Sequence, residues 1–581
     1  MPTTIEVNKQ SVEALLGSGK SKPFVIPEYQ RPYAWTDEQV ETLFEDLWDF
    51  TATSGGTERE SSYFLGSVVS YENEDGEQEI IDGQQRITSL FLLLRAIYTK
   101  LVATPASERT AEANNFIGKI EPTIWRTNKL TGTVDFKNIL LTSRVVNNEG
   151  NEILRSILET GKADEDAKDN YSKNYRHFQE LFDKHSTENP LMVYQFIYAL
   201  LNQAILLPIT ADTQDTALTI FSTLNDRGLP LSDADIFKAK IYNQLAPDDK
   251  KAFIDRWKDL DEQSTDANES IQQLFYYNMF YYRALDKDTK TTTPGVRKYY
   301  AVNKFERLYK PELLDTLFVI LNLWKVVNKG EELEDEAWSK NIKIRQTLDI
   351  LTSYPNEYWK YPVVIYYVCY RNEENFETRF ARFLNKLLME LMTKYLMIPT
   401  INAVKPDILK LNSAIVASDI PTFEFKTVDM TQLEPYIQNP NRNVVRMLLK
   451  TLAYEHQDDL LPAKWEIEHI FPQKWQTNYF PDEPDATIKE KIEHIGNKLP
   501  FEKKLNIVAG NGYFGKKKKE YIASKIVITK AMGTSDVMDW NLESITKRDI
   551  RVSDEVVKIM NRWNNEYLNT PVSEGKGANL L

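Results

Sequence analysis

The sequence predicts a mixed α/β and α fold, with a helical region between two regions of mixed structure. Short apolar runs alternate with helical patterns over residues 1–245, and long, aromatic-rich helical patterns fill residues 246–430. Histidine and lysine motifs lie in residues 431–570, and the polar residues 571–581 are expected to form a disordered tail. A chain of 581 residues is long enough for several domains, each with its own core.

Composition excludes several classes of protein. Hydrophobic residues make up 42% of the chain and charged residues 27%, which is ordinary for a soluble globular protein. The single cysteine, Cys369, excludes an internal disulfide and a cysteine-based zinc site, and its aromatic neighbours favour a buried structural thiol. We find no signal-peptide pattern and no apolar stretch of about 18 residues, so we expect a cytoplasmic protein without membrane contact.

Within the first region, short apolar runs predict strands at residues 25–27, 67–70 and 79–81. An amphipathic helix is predicted from about Ile87 to Lys100. Between the last strand and this helix lies Asp82-Gly83-Gln84-Gln85-Arg86. A turn that opens a helix offers free N–H groups to an anion such as phosphate. Asp82 could hold a metal or a water, and Arg86 could neutralise a phosphate; the alternative is a polar turn without a ligand.

A near-match to the phosphate-binding loop is rejected. Residues 14–21 read ALLGSGKS, with Ala14 where the motif requires glycine. The true motif follows a strand and opens a helix. Here residues 11–16 are expected to be helical and residues 22–27 extended, so the order is reversed.

Two more segments carry groups suited to a nucleotide. In residues 26–35, IPEYQRPYAW, two prolines stiffen the backbone, Gln30 and Arg31 supply donors, and the aromatic rings could stack on a base. Residues 221–238 make a turn followed by a helix that Ser232 should cap, which brings Asn225, Arg227 and Lys238 to a second helix start. Each segment alone also fits a structural loop.

The three segments together resemble the N-terminal domain of GmrSD-type modification-dependent (type IV) restriction proteins, over about residues 5–245. The resemblance implies a ParB/sulfiredoxin-like α+β fold that binds and hydrolyses a nucleoside triphosphate without a phosphate-binding loop. Whether that nucleotide is GTP, UTP, CTP or ATP stays open. By this resemblance, nucleotide-site roles fall on Gln30, Arg31, Asp82, Gly83, Gln84, Gln85, Arg86, Asn225, Arg227, Asp235 and Lys238.

The middle region predicts long helices at residues 271–285, 313–327 and 378–397. Its aromatic clusters, at residues 275–282 and 354–361, could form a stacking surface for a base. Aromatic residues at helical spacing more often form core, and we favour that interpretation.

A second chemical site follows the helical region. His469 comes after Glu468 at the end of a predicted strand, where an imidazole could act as general base and a carboxylate could bind Mg²⁺ or Mn²⁺. Asn497 and Asn506 follow. Ten lysines oppose three glutamates between residues 491 and 530, and the run at residues 516–519 fits either a solvated helix start or a DNA contact.

This arrangement, over about residues 440–565, resembles the C-terminal His-Asn-His nuclease domain of the same GmrSD-type proteins, a ββα-metal fold. The resemblance implies that His469 activates water, Asn497 braces the hairpin, and Glu468 with Asn506 holds the metal. One lysine of the run, taken as Lys516, would contact the scissile phosphate. The chain departs from the general pattern because asparagine stands where the final histidine is expected, and His494 is a rival ligand.

Taken together, the motifs favour a nucleotide-regulated, metal-dependent endonuclease of prokaryotic anti-phage defence that cuts double-stranded DNA, expected to be modified phage DNA. The net charge of -14 argues against general coating of nucleic acid. Two alternatives stay open: a protein that senses nucleotide or modified DNA and has an inactive nuclease domain, and a nuclease toxin acting on RNA or host DNA. A homodimer is also left open.

Overall fold

The computed structural model describes residues 6–54, 61–128, 131, 133–145, 148–224, 232–400, 402–475 and 484–571. It divides into two compact units, Met1–Lys258 and Asp259–Leu581. The sequence-based domain limits at 245/246 and 430/431 stay a prediction, and the expected disordered tail lies, apart from Pro571, outside the described residues.

The first unit is built around a mixed sheet with the strand order β1-β9-β4-β5-β3-β8, in which β2 also pairs with β9. Its strands are β1 (Glu6–Val7), β2 (Gln10–Ser11), β3 (Phe24–Ile26), β4 (Tyr63–Glu72), β5 (Gln78–Asp82), β8 (Leu141–Ser143) and β9 (Ala204–Ala211), and a separate pair is formed by β6 (Trp125–Thr127) and β7 (Val134–Ile139). Strand β5 runs antiparallel to β4 and parallel to β3. The three strands predicted from sequence are confirmed as parts of β3, β4 and β5.

The first unit also contains helices, the last of which extends past the limit of the unit at Lys258. They are α1 (Val12–Ser18), α2 (Asp37–Ser54), α3 (Gln84–Ala103), α4 (Ala111–Ile124), α5 (Asn148–Thr160), α6 (Asn170–Glu188), α7 (Val193–Tyr198), α8 (Gln214–Leu224), α9 (Asp233–Gln244) and α10 (Pro247–Asp266), with a 3-10 turn at Pro190–Met192 and a π-helical turn at Ala199–Gln203. The order of α1 before β3 confirms that the rejected phosphate-binding loop lies at a helix end rather than a helix start.

Helix α3 departs from the amphipathic helix that the sequence predicts. It begins three residues earlier, at Gln84, and it is buried almost all round. Helices α4, α5 and α6 pack against it, so even Arg95 lies in the core, where its side chain donates to the carbonyl oxygen of Leu158. The run Phe91-Leu92-Leu93-Leu94 is apolar on every face, which is typical of a helix enclosed by other elements.

The second unit is mainly helical. Its helices are α11 (Ile271–Leu285), α12 (Val296–Tyr300), α13 (Leu313–Lys329), α14 (Ile342–Leu351), α15 (Lys360–Tyr370), α16 (Phe376–Met397), α17 (Lys405–Ala417), α18 (Glu434–Gln438), α19 (Val445–His456), α20 (Asp485–Ile492), α21 (Lys503–Ala509), α22 (Phe514–Ile522), α23 (Val527–Thr534) and α24 (Leu542–Leu568). Short 3-10 stretches occur at Val302–Tyr309, Ala337–Lys340, Met430–Leu433 and Ile495–Asn497. One antiparallel pair is formed by β10 (Trp465–His469) and β11 (Lys498–Glu502).

The three long helices predicted for the middle region are confirmed as α11, α13 and α16. Their aromatic residues form core, which is the favoured interpretation. Phe280 and Tyr361 stack with ring centroids 3.7 Å apart, and Tyr277 stacks on Trp324 at 4.9 Å. Cys369 on α15 is half-buried, and burial raises the pKa of its thiol to about 12, which favours the thiol over the reactive thiolate at neutral pH.

None of the described helices combines the length and the apolar character that a membrane span requires.

Candidate functional sites

The DGQQR turn joins β5 to α3 through a left-handed glycine. Gly83 has φ 90°, and a side chain there would place Cβ 3.1 Å from Cγ2 of Val68 and 3.2 Å from the carbonyl oxygen of Ser67. Only glycine fits both the conformation and the close approach of β4. No side chain caps α3, so the N–H groups of its first turn keep the electropositive character of a helix start.

The glutamines of the turn hold the neighbouring loop. Oε1 of Gln85 accepts hydrogen bonds from the backbone N–H groups of Ala34 and Trp35, at 2.7 and 3.2 Å, and its Nε2 donates to Pro32 at 3.2 Å. Gln84 donates to the carbonyl oxygen of Arg31 at 3.3 Å. The two amides therefore fix residues 31–35 against the start of α3, which is a structural use of the signature.

Gln30 has a similar structural role. Its side chain is buried, and Nε2 donates to the carbonyl oxygen of Ile81 at 3.0 Å. Oε1 of Gln84, by contrast, is buried and has no hydrogen-bond partner among the described residues. A buried acceptor of this kind is costly unless a donor reaches it, so it is the one amide group of the turn that a ligand could still satisfy.

The charged residues of the turn lie close together. Arg86 donates to the carbonyl oxygen of Ser67 at 2.9 Å and packs over Gly66, where a Cβ would lie 2.9 Å from its Cζ. Burial raises the pKa of Asp82, although the N–H of Gly83 and the charges of Arg86 and Arg31 oppose the shift. Arg31 itself is exposed. Asp82 and Arg31 are thus the charged groups that remain accessible for phosphate or a cation.

The third segment contributes less to this site. Asn225 and Arg227 lie outside the described residues. Asp235 closes a capping box with Ser232, because its Oδ2 accepts from the Ser232 N–H and hydroxyl at 3.1 and 2.9 Å. Ser232 is therefore confirmed as the N-cap of α9, and the carboxylate of Asp235 is occupied. Lys238 lies half-buried one turn further along α9.

Sequence reasoning missed a buried carboxylate on β5. Glu79 accepts a hydrogen bond from the Tyr29 hydroxyl at 2.6 Å, and Gln214 in turn donates to that hydroxyl at 2.7 Å. Burial, followed by the charge of Glu79, raises the pKa of Tyr29 well above its ordinary value. The signal was present in the sequence, since a charged residue inside the apolar run Glu79-Ile80-Ile81 requires a partner.

In the second unit, a helix follows an antiparallel strand pair. His469 at the end of β10 lies opposite Lys498 at the start of β11, and α21 begins directly after β11 and packs on both strands. Asn497 is fully buried beside them. Its Nδ2 donates to the carbonyl oxygens of Phe471 and Ile492, both at 3.0 Å, and its Oδ1 accepts from the Phe471 N–H at 2.7 Å. This amide holds the chain that leaves β10.

The surroundings of His469 favour the neutral form of its imidazole. Burial lowers its pKa, the charge of Glu493 opposes the shift, and Lys498 and Lys517 reinforce it. Nε2 lies 3.5 Å from Oε1 of Glu493, whose other oxygen accepts from Lys498 at 2.8 Å. A neutral, partly accessible imidazole can accept a proton from water.

Glu468 is already paired. Only 4% of the residue is exposed, and its Oε1 lies 2.8 Å from Nζ of Lys517 and accepts from the Tyr521 hydroxyl at 2.7 Å. Lys517 is 1% exposed and also donates to the carbonyl oxygen of His469. Burial lowers the pKa of Lys517, although Glu468 opposes the shift. An ammonium this close repels a divalent cation, so Glu468 fits a metal only if Lys517 moves away.

The remaining predicted residues differ in their surroundings. Asn506 lies half-buried on α21, and its side chain makes no hydrogen bond to the described residues. Lys516 is exposed near the start of α22, so the lysine run is split between solvent and core. Across the part of the chain that the structure describes, no group of three or more His, Cys, Asp or Glu side chains could hold a metal ion.

Two neighbouring residues of α24 were missed by sequence reasoning. Asp549, 1% exposed, accepts from the Gly496 N–H at 2.7 Å through Oδ1 and from His494 at 2.8 Å through Oδ2. Arg548 donates to the carbonyl oxygens of residues 495, 496 and 498, at 3.1, 2.9 and 2.9 Å. Together they clamp the turn that carries Asn497. The contact to Asp549 makes His494 part of this clamp. No sequence motif predicts this contact, because the two residues lie 55 positions apart in the chain.

Comparison with known families gives two matches. Residues 12–242 match the model for the GmrSD restriction endonuclease, N-terminal domain, and residues 429–552 match the model for the GmrSD restriction endonucleases, C-terminal domain. The two matches together take in more than half of the chain, and they contain the DGQQR turn and the His469 site. No curated protein sequence matches the chain.

Proposed function

We propose, from the premise that this chain belongs to the GmrSD restriction endonuclease family, that it is a DNA endonuclease of prokaryotic anti-phage defence whose nuclease centre is built on His469. The observation that carries the assignment is the environment of that histidine. Burial favours its neutral form, it ends a strand, and Asn497 holds the chain that follows it. We also propose that the N-terminal region has a ParB/sulfiredoxin-like fold and that the C-terminal region has a ββα-metal fold.

In the proposed reaction, His469 accepts a proton from a water molecule while the water oxygen forms a bond to phosphorus. One P–O bond of the DNA backbone breaks, and the leaving oxygen takes up a proton from solvent. Lys498 and Lys517 lower the pKa of His469 but are each paired with a carboxylate, so the proposed phosphate contacts come from exposed lysines. Phosphate contacts from Lys516 would position the strand.

The proposed DNA surface consists of six exposed lysines, which we call the lysine face. Its members are Lys503, Lys504, Lys516, Lys519, Lys525 and Lys530. The other four lysines of this stretch point to protein partners, including Glu468 and Asp549. Exposed Ile507 and Val508 lie beside Lys503 and Lys504 on α21 and could contact the sugar edge of a groove.

We propose that Mg²⁺ or Mn²⁺ serves the reaction. When bound, such an ion would supply Lewis-acid stabilisation of the phosphate charge. The free amide of Asn506 supports the proposal as a donor, whereas Glu468 and Glu493 would first have to exchange Lys517 and Lys498 for the ion.

We propose that the first unit binds a nucleoside triphosphate and regulates cleavage. Support comes from the uncapped start of α3, the accessible Arg31 and Asp82, and the unpartnered acceptor of Gln84. The proposed substrate is double-stranded phage DNA with modified bases. The protein could bind it as a monomer or as a homodimer.

The test of the nuclease site is His469→Ala in the purified chain, assayed on plain and modified phage DNA with Mg²⁺ or Mn²⁺ and with each nucleotide. We expect cleavage to fall at least 10²-fold, the lower range for loss of a general base. His177→Ala, in the other unit, is the matched control and should cut like the parent. Cleavage by the His469 variant at the parent rate would overturn the assignment.

The test of the nucleotide site uses Asp82→Asn and Arg31→Ala, which change accessible charges, rather than Arg86, which supports β4. We expect both variants to lose nucleotide binding or hydrolysis and to keep the His469-dependent nicking of DNA. Unchanged nucleotide binding in both variants would place the nucleotide elsewhere.

One observation favours a second candidate function, a sensing protein with an inactive nuclease domain. The ion pair between Glu468 and Lys517 occupies a carboxylate that a metal would need. Failure of the parent chain to nick any DNA with either metal, while DNA still binds, would decide for this alternative.

A further inference from the structure

One cavity in the second unit lies outside the His469 site. It is a cleft of about 780 Å³ between α19, α23 and α24, with Leu452, Ile528, Met532 and Val552 among its apolar lining residues. Ligand sites typically measure roughly 300 to 1,000 Å³ and combine apolar walls with a few polar groups. The cleft therefore has the size and the lining of a site for a small, largely apolar ring system.

An unpartnered donor lies in its wall. Trp540 lines the cleft, is 6% exposed, and packs its ring against Phe514 with centroids 5.6 Å apart. Its indole N–H is buried and has no hydrogen-bond partner among the described residues. A buried N–H without an acceptor carries a desolvation cost, which a ligand acceptor in the cleft would remove.

The rim of the cleft is basic. Lys547 and Arg551 are exposed on α24, and Lys547 makes only a solvent-exposed pair with Glu543, a weak interaction. The one carboxylate that lines the cleft, on Glu555, is paired with His456. In a chain with a net charge of -14, this local excess of positive charge favours an anionic ligand.

The cleft is joined to the proposed nuclease centre by one side chain. Arg548 lines the cleft, and its guanidinium donates to the carbonyl oxygens of residues 495, 496 and 498. Residue 498 is the strand partner of His469. A ligand in the cleft would consequently lie against the same clamp that orients the His469 site.

We propose that this cleft binds one nucleotide of the DNA substrate, turned out of its strand. The base packs against the apolar walls, an acceptor on the base takes the Trp540 N–H, and Arg551 with Lys547 contacts the adjoining phosphates. This inference rests on the proposed function, because the nucleotide belongs to the DNA that the protein is proposed to cut. It commits to DNA rather than to a free nucleotide because Arg548 links the cleft to the proposed site of cleavage.

The experiment measures binding of a fluorescently labelled single-stranded oligodeoxynucleotide to the full chain in EDTA, by anisotropy. Arg551→Gln and Lys547→Gln should each weaken binding severalfold and reduce the slope of log affinity against log salt by about 0.7, the value for one phosphate contact to a single strand. Trp540→Phe should weaken binding about threefold to tenfold without changing that slope. Lys558→Gln, exposed on the same helix outside the cleft, is the control and should bind like the parent.

An abasic oligonucleotide of the same length separates base from phosphate. It should lose sensitivity to Trp540→Phe and keep sensitivity to Arg551→Gln. Trp540→Phe also shrinks a buried ring that packs on Phe514, so its thermal transition should fall, and binding is measured well below the transition of both proteins. Equal effects of Trp540→Phe on both oligonucleotides, or parent-like binding by all cleft variants, would overturn the proposal. So would a deoxynucleoside monophosphate that competes as tightly as the oligonucleotide, which would assign the cleft to free nucleotide.

Failure of this proposal is distinguishable from failure of the proposed nuclease function. If the parent cuts DNA and the His469 variant does not, while the cleft variants bind normally, only the cleft assignment is wrong. If no DNA is cut but the cleft variants lose binding as described, the cleft stands and the nuclease assignment falls.

Discussion

Gln84 and Gln85 show that a polar signature recognised in a sequence can also hold the protein's own backbone in place. An amide suits a phosphate oxygen and a backbone carbonyl equally well. In the structure, Gln85 holds two N–H groups and one carbonyl of the adjacent loop, and only one oxygen of Gln84 remains without a partner among the described residues. A Gln85 variant is consequently expected to report on stability, because it would leave two N–H groups unsatisfied.

The pH dependence of cleavage provides a prediction at the residue scale. Burial holds the pKa of His469 below its ordinary value, and the negative charge of Glu493 partly restores it. A general base acts in its neutral form, so the cleavage rate should fall on acidification only as pH drops through this lowered pKa. Glu493→Gln removes the restoring charge and should move the acidic limb of log kcat against pH to still lower pH. Glu520→Gln, the same change on α22, should leave the limb in place, and a shift of the Glu493 variant to higher pH would contradict the assigned cause.

Asp549 and Arg548 mark the limit of residue-level prediction. His469, Asn497 and Glu468 could be selected because each lies in a short local motif. Their long-range partners could not, because an aspartate and an arginine on a long polar helix look like any solvated face. The lysine that pairs with Glu468 belonged to a recognised run, but burial of Lys517 alone among its neighbours depends on which face of α22 packs inward.

At the scale of elements, the hydrophobic period predicted where a helix lies better than it predicted which elements pack around that helix. The pattern indicated the bounds of α11 at residues 271–285, as observed, because its helical period persists over the whole element. For α3 the pattern predicted an amphipathic helix with one solvent-exposed face, whereas the helix is enclosed by α4, α5 and α6. The enclosing elements lie up to about a hundred residues away, beyond the reach of a local pattern.

The packing of α24 on the turn at Gly496 yields a prediction for one pair of elements. A Cβ on Gly496 would meet the carbonyl oxygen of Ile545 and lie 2.6 Å from Oδ1 of Asp549, so the helix would have to move. Gly496→Ala should therefore destabilise the second unit by about 1–3 kcal/mol, the usual range for overpacking. Urea unfolding monitored by circular dichroism gives the measurement.

Gly515→Ala is the matched control for that change. Gly515 is the second residue of α22, and apart from its neighbours and the helix's own backbone no atom lies within 4 Å of the position that a Cβ would occupy, so alanine should leave the stability unchanged or raise it by up to about 1 kcal/mol. Parent-like stability of Gly496→Ala would show that α24 does not clamp the turn.

At the scale of the whole molecule, charge is the property that can be counted most directly from the sequence. The total of -14 and the excess of lysine between residues 491 and 530 are both counted from the sequence. The structure changes their meaning, since four of the ten lysines there are engaged with the protein and six are exposed. An acidic chain that binds DNA must do so through a confined surface, because elsewhere the phosphates are repelled.

The lysine face is expected to be the surface that binds duplex DNA. Changing Lys503, Lys504 and Lys516 together to glutamine should weaken binding of duplex DNA and flatten the dependence of log affinity on log salt by about 0.9 for each phosphate contact that is lost. The same number of exposed lysines in the first unit, Lys173, Lys184 and Lys168, provides the control with an equal change in net charge. If net charge alone governed binding, both triple variants would weaken it equally. A slope that falls only in the first variant would locate the duplex on α21 and α22, beside the strand that ends at His469.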